Sequence, residues 1–473
     1  MGILLIFNFK NMKIRFITFS IMLFCFLSAK CQQTAFVDKI SALIQNGEFE
    51  IAEKEVDEVL SEDHNNTDAL MLKGNIIINK YIGNGPDVFL GVNNDESIFN
   101  TSIGHIGGQA PLLISKEVCD KVEKLWLKAI DIDNTREDIR LGLCHLYSIS
   151  LDTESLIAYL PTLVKNISLE QPHYSISDYA RNLIEREKFE DGMRVYKEVY
   201  KLYSDQFGLL SDIAAEYYKN ENIDSCKHYL NRAFPLISSD EISLQNCFFL
   251  YSVLGEYEQA LKCAQRFSEL TKDDFYRYYK VLLDNYKGKV LASELEELSK
   301  SKNENYRNAA NILLDENLSA KQKYEALVKS PENDGIKILM HHAYIQQSKW
   351  AYFNYCEVLT YNHRYFEAIE HYKQLMPIVE KDDSEVKPKD IEIYVAWAYH
   401  KTKQKSSALI WWEKNLSSKF LYQKSAGAYF LGINEIDNGN IDKALEYFRL
   451  VSDQASESKY ATYCWNLVNK YAR

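Results

Sequence analysis

The sequence predicts an all-α chain, a solenoid of stacked antiparallel helix pairs. Three observations carry that expectation: a unit of roughly 34 residues recurs, proline is sparse, and apolar residues fall at helical spacing. The unit reads most plainly as Leu431-Gly432, then Gly439-Asn440-Ile441-Asp442-Lys443-Ala444, then Phe448 and Val451. The same order returns as Leu254-Gly255-Glu256-Tyr257-Glu258-Gln259-Ala260 with Ala264 and Phe267, and as Tyr365 to Ala368 with Tyr372 and Leu375. Only 8 prolines occur in 473 residues, several of them at segment edges such as Pro235, Pro331 and Pro377. That scarcity suits long helical runs.

The recurrence has a physical reason. Two helix backbones approach to about 8 Å only where no large side chain stands between them, so one helix of each pair needs a small residue facing its neighbour. The later aromatic and aliphatic residues fill the gap to the next pair. A two-helix unit cannot bury its own apolar face, so it is stable only in a stack.

This pattern resembles the tetratricopeptide repeat. In that family the first helix carries a large residue, Leu-Gly and an aromatic; the second carries Ala, an aromatic and Ala. The resemblance implies a right-handed solenoid, and it orders the chain. Residues 32–78 hold the first helices, with Gly47, Phe49, Ala52, Val59 and Leu60 fitting a turn and second helix. Leu70 and Gly74 open the next unit, which Val122, Ala129 and Ile130 close across an insertion at 79–115. Repeats continue over 116–270, through Gly142, Leu156, Gly192, Tyr196, Ala214, Tyr217, Cys226, Ala233 and Ala260. Residues 271–345 keep the periodicity (Leu291, Leu295, Leu298; Ala309, Ile312, Leu313) and lose the family residues. These helices are expected to stack without a close Gly/Ala contact. The pattern recovers over 346–456, with Cys356, Ala368, Ala398, Ala408, Trp412 and Ala428, and residues 457–473 read as a capping helix. The prolines that end family units are missing: His64, Asn134 and Leu236 stand near where one would be.

Residues 1–31 have a different composition. Lys13 and Arg15 precede the uncharged, mostly apolar stretch Phe16 to Leu27, and Ser28 and Ala29 follow. That is the order of a secretory signal, and about 12 apolar residues are too few to cross roughly 30 Å of hydrocarbon. Met1 and Met12 are alternative starts. Cleavage before Gln32 leaves a soluble exported chain in the periplasm or outer envelope of a bacterium. The alternative is a lipid anchor on Cys31, which Lys30 immediately before it disfavours.

The insertion at 79–115 is crowded with Gly83, Gly85, Gly91, Gly104, Gly107 and Gly108, with Pro86 and Pro111 near its two ends. Helix does not persist through such glycine density. A long ordered loop or a small hairpin over Val88 to Phe99 is expected there, and a loop of that length marks a partner-specific feature. Gly107-Gly108 lacks the Lys-Ser/Thr of a phosphate cradle.

Charge and cysteine content exclude several classes of function. Without its first 31 residues the chain keeps 51 Lys and Arg against 67 Asp and Glu, a formal −16. An acidic chain of this kind has no phosphate-neutralising surface for nucleic acid. Seven cysteines remain (119, 144, 226, 247, 263, 356 and 464), an odd number at irregular spacing that forms no disulfide framework. Cys226 with Cys247 or Cys263 is the one pairing an oxidising compartment leaves open.

Catalytic, cofactor and metal residues are not indicated. His341 and His342 are adjacent and point about 100° apart on a helix, and His363 and His371 lack the carboxylate or cysteine company that zinc takes. No Gly-x-Ser-x-Gly elbow occurs. The chain carries 33 tyrosines and 6 tryptophans, including Tyr217-Tyr218, Tyr276-Tyr278-Tyr279, Trp350-Tyr352-Phe353-Tyr355 and Trp411-Trp412. Most are expected between helices; the remainder would supply interface energy. Two functions compete. The first is an exported scaffold or adaptor holding a protein or peptide on its concave surface. The second, by a further resemblance, is a glycan-binding outer-membrane nutrient component of similar helical build, associated with the membrane through a lipid.

Overall fold

The computed structural model describes residues 35–82, 114–166, 172–185, 188–204, 206–237, 240–329, 333–381 and 386–471. Among them the regular structure is helical throughout and no strand occurs. The expected signal, Cys31 and most of the Gly-rich insertion lie outside the described residues. The chain divides into two compact units, residues 1–213 and 214–473.

In the first unit the helices are α1 (Ala35–Gln45), α2 (Phe49–Glu62), α3 (Thr67–Ile82), α4 (Lys116–Ile132), α5 (Glu137–Ile149), α6 (Thr153–Lys165), α7 (Pro172–Glu185) and α8 (Phe189–Leu202). From α1 to α6 each packs on the next, as α7 does on α8, and α1 packs on α3, α5 on α7 and α6 on α8 as well. That two-step contact is the mark of stacked pairs. Helices α3 and α4 form a pair although residues 83–115 separate them in sequence. Gly74 makes this pairing fit, because a Cβ there would lie 2.2 Å from Trp126 Nε1. The indole is fully buried and donates to the Met71 carbonyl at 3.1 Å.

Helix α9 (Phe207–Lys219) runs across the division. The second unit continues with α10 (Ile223–Ala233), α11 (Glu241–Val253), α12 (Tyr257–Thr271) and α13 (Phe275–Tyr286). Three short helices follow, α14 (Ala292–Leu298), α15 (Glu304–Leu314) and α16 (Ala320–Leu327), then α17 (Asp334–His342). The last seven are α18 (Lys349–Tyr361), α19 (Tyr365–Glu380), α20 (Pro388–Lys401), α21 (Lys405–Leu416), α22 (Leu421–Asp437), α23 (Ile441–Arg449) and α24 (Lys459–Tyr471). From α18 onward each helix packs on the next, α18 also on α20 and α22 also on α24. Ala260, Ala368, Ala408 and Ala444, the small residues of the repeat pattern, are all buried. The chain is therefore an all-α solenoid of repeat-like helix pairs.

One backbone device recurs at the pair turns. Gly47, Leu151, Glu221, Gly255, His363, Lys403 and Gly439 all have φ between 59° and 82°, and each stands two residues before the second helix of its pair. The next amide reaches back five residues to close the first helix: Glu256 to Tyr251 at 2.8 Å, Arg364 to Leu359 at 3.0 Å, Gln404 to Tyr399 at 3.0 Å, Asn440 to Glu435 at 2.8 Å. This left-handed cap satisfies carbonyls that the helix end leaves open. Gly255 and Gly439 thus belong to turns. The close helix–helix approach belongs to other glycines, Gly432 and Gly427, where a Cβ would meet Phe448 at 2.2 Å and the Trp412 carbonyl at 2.7 Å.

Residues 271–345 do more than continue the stack. After α14 to α16, α17 returns to pack on both α11 and α13. Gly335 permits it, since a Cβ there would sit 2.2 Å from Ser252 Cβ. The return brings the α18–α19 turn against the ends of α9 and α11. Tyr218 donates to Asn362 Oδ1 at 2.7 Å, and the Arg364 guanidinium lies over Gly255 and donates to Tyr257 at 3.2 Å. Arg364 also pairs with Glu367 at 2.6 Å, whose other oxygen accepts from Tyr355 at 2.9 Å. Burial works against the Arg364 charge, but Tyr257 and Glu367 outweigh it and hold its pKa above the usual guanidinium range.

Candidate interaction surface

The first helices of successive pairs, α18, α20 and α22, with the closing helix α24, carry a row of aromatic side chains. On α18 the spacing 353, 357, 361 puts Phe353, Glu357 and Tyr361 on one face. Tyr394 of α20 stands opposite, its ring 5.7 Å from Phe353 and 5.9 Å from Tyr361. Trp350 extends this group at 5.7 Å from Phe353. On α22, Tyr429 lies 5.6 Å from both Tyr460 and Tyr463 of α24, and Tyr422 lies 5.4 Å from Tyr460. Trp350, Tyr361, Tyr422 and Tyr463 are 39 %, 46 %, 43 % and 44 % exposed, too much for rings that only fill gaps between helices.

Behind this row the rings are core. Trp412 is fully buried and stacks on Phe430 at 4.4 Å, which also meets His400 and Trp397. The tyrosine-rich runs divide likewise. Tyr217, Tyr218, Tyr278, Tyr279, Tyr352, Phe353 and Tyr355 are buried, and Trp350 is the exposed member.

Glu357 is the one carboxylate within the Phe353, Tyr361 and Tyr394 group. One of its oxygens accepts the Tyr394 hydroxyl, and Tyr361 donates to the Tyr394 oxygen at 3.4 Å. Among the described residues no lysine or arginine lies within ion-pair distance of Glu357. Lys337, whose charge reaches it, is occupied by Asp334 at 3.0 Å. Burial raises the Glu357 pKa, against the Tyr394 bond and the Lys337 charge, which lower it.

The histidines are packed rather than assembled. His341 is buried with Nδ1 3.0 Å from the Tyr324 hydroxyl, and burial brings its pKa down to about 4. His342 faces Tyr286 at 4.2 Å, and His371 Nδ1 lies 3.2 Å from the Tyr352 hydroxyl. Burial lowers the pKa values of His342, His363 and His371 too. Among the described residues no group of three His, Cys, Asp or Glu is placed to hold a metal ion. All seven described cysteines are free and buried, so the pairing considered for Cys226 does not form; these thiols pack as small apolar groups. No described helix is long and apolar enough to cross a membrane.

A hollow of about 310 Å³ lies beside α13, lined by Asp273, Asp274, Tyr276, Arg277, Lys280 and Glu294. Its charges answer one another: Arg277 pairs with Asp274 at 3.1 Å, and Lys280 with Asp284 and Glu294.

No family model matches the chain, and no curated protein matches it. Among solved structures it is similar to the P58(IPK) TPR domain, at 13 % identity and a TM-score of 0.24, covering 87 % of this chain and 96 % of that one. It is also similar to the structure of Naa15/Naa10 bound to HypK, at 12 % identity and a TM-score of 0.26, covering 87 % of this chain and 67 % of that one. At such scores the likeness adds no weight, and the fold rests on the helix pairing itself.

Sequence reasoning left the aromatic runs divided between core and surface and did not find Glu357 or Arg364. The 353, 357, 361 spacing is present in the sequence, but it is shared by any helix face. Its meaning depends on Tyr394, one repeat away.

Proposed function

We propose that this chain is an exported helical-repeat scaffold, without catalytic activity, that holds a segment of a partner protein across the aromatic face of α18, α20, α22 and α24. The observation that carries this reading is the row of half-exposed rings on successive first helices. Tyrosine and tryptophan bring large contact area at little entropic cost, and partly exposed rings in a row suit an extended chain better than a compact small molecule. Export rests on the basic, apolar and small-residue order of residues 13–29, and places the partner in the bacterial envelope.

Site-specific photocrosslinking tests it. A benzophenone side chain at Tyr422 or Tyr463 in the full chain should crosslink to protein in cells. The same group at Ile410 of α21, which is exposed but belongs to a second helix, should not. Equal crosslinking at all three positions would sink the reading. Retention of a glycan by the purified chain, with no protein crosslinked at Tyr422, would replace it with the glycan-binding alternative.

A further inference from the structure

Glu357 stands among the Phe353, Tyr361 and Tyr394 rings, and its surroundings specify what it takes. It has no cation of its own among the described residues. The Tyr394 hydroxyl occupies one oxygen, and the second has no hydrogen-bond partner among the described residues. An aromatic face attracts a cation through its ring quadrupole, and a carboxylate among such faces adds a charged acceptor in surroundings drier than bulk water. We propose that Glu357, with Tyr361 and Tyr394, seats a lysine or arginine side chain of the bound partner segment. The proposal rests on the reading that this face holds a peptide.

Two further observations favour a basic side chain presented on a peptide over a free amine. The rings continue beyond Glu357 through Tyr422, Tyr429 and Tyr463, a surface that a single ammonium group would leave uncovered. Lys337, a cation whose charge reaches Glu357, is held by Asp334 on its own helix, so the seat is not filled from within. An acidic segment would place like charges together in half-buried surroundings, an arrangement interfaces select against.

The probe is an array of immobilised twelve-residue peptides on a Gly/Ser/Leu/Tyr background, with Arg, Lys, Ala or Glu at the centre, read with the purified, fluorescently labelled full chain. Arg and Lys peptides should be retained about fivefold or more above their Ala and Glu counterparts. Glu357→Gln should bring that ratio near one. Tyr361→Ala should weaken all of them. The Gln side chain matches Glu in shape, and its far-UV dichroism and melting point at or above the parent's will show that the face is intact.

A ratio that survives Glu357→Gln overturns the seat. Peptides retained with no preference for Arg or Lys also overturn it and leave the peptide-holding reading in place. No retention by the parent chain overturns both. Spermidine displacing the Arg peptides at concentrations where uncharged solutes do not would assign the seat to free amines and overturn the peptide assignment.

Discussion

Between α18 and α24 every helix packs on the helix before it and the helix after it, and small residues set the spacing. Between α13 and α17 the chain passes through three short helices, and the contact that matters is with helices laid down much earlier. In the first region Gly427 and Gly432 bring backbone and ring to within the space of a methyl group. In the second, α17 closes on α11 and α13, and the α18–α19 turn is then tied to the ends of α9 and α11 through Tyr218, Asn362, Gly255 and Arg364. A strict solenoid has nearest-neighbour energies only. The second unit adds a cross-connection, so its halves should unfold together and not repeat by repeat.

Arg364 is where that comparison breaks most easily. Arg364→Met keeps the stem but leaves Glu367 half-buried without its cation, an arrangement that costs about 3 kcal/mol. Urea unfolding should show this loss. Hydrogen exchange should show faster opening of α11 and α17 than of α22 and α23. Uniform acceleration across the unit would mean that the cross-connection carries no special share of the stability.

The pH dependence separates the two regions next. His341 on α17 is neutral in the fold, with a pKa of about 4 against about 6.5 unfolded. Its surroundings include Tyr324 at Nδ1, with Lys337 lowering and Asp334 raising the value. A depressed folded value means that the unfolded chain binds the proton first. The associated stability is complete above pH 6.5 and is lost as pH falls towards 4. By pH 5 the loss is about 2 kcal/mol. His341→Gln should flatten the stability profile between pH 7 and 5. An unchanged slope would assign the acid sensitivity to other buried histidines such as His342, His363, His371 and His400.

How far the sequence speaks follows the same division. Ala260, Ala368, Ala408 and Ala444 are legible because they recur at one place in a repeated unit, and all four are buried as that place requires. Gly255 and Gly439 are equally visible, but their reason is a left-handed turn, which a linear pattern does not separate from close packing. The return of α17 leaves no periodic trace. It depends on Gly335 meeting Ser252, two residues 83 positions apart that hold no corresponding places in the repeated unit. Glu357 is silent for a similar reason: a charge at one helical position means nothing until Tyr394 is known to face it.

Helix contact inside the stack should give the third effect. At Gly427 a Cβ would stand 2.7 Å from the Trp412 carbonyl oxygen and 2.8 Å from the Leu416 nitrogen, both backbone atoms that do not swing aside. Gly427→Ala gains helix propensity of about 1 kcal/mol and loses about 1–3 kcal/mol to overpacking. A net loss of up to about 2 kcal/mol in thermal unfolding is expected. A gain would show that α21 and α22 can separate at no cost, and that small residues do not set their spacing.

The turns give the smallest and cleanest contrast, because the same left-handed position is filled by glycine in some pairs and by a side chain in others. Lys403 holds φ at 59°, in a region where a Cβ crowds the following carbonyl, whereas Gly439 holds 80° without one. Lys403→Gly should therefore stabilise by about 0.5–1 kcal/mol, the strain relieved minus the entropy that glycine adds to the unfolded chain. Gly439→Ala should destabilise by about 1 kcal/mol, and nothing lies within 4 Å of its added methyl, so the change is purely one of backbone conformation. Gly255→Ala carries the same backbone cost and also brings its methyl to 3.1–3.3 Å from the Arg364 guanidinium. Its excess over Gly439→Ala in matched urea titrations measures how firmly the cross-connection holds that guanidinium in place. Equal losses at the two glycines would mean that Arg364 yields freely, and the cooperative unfolding expected of the second unit would then have to come from α17 alone.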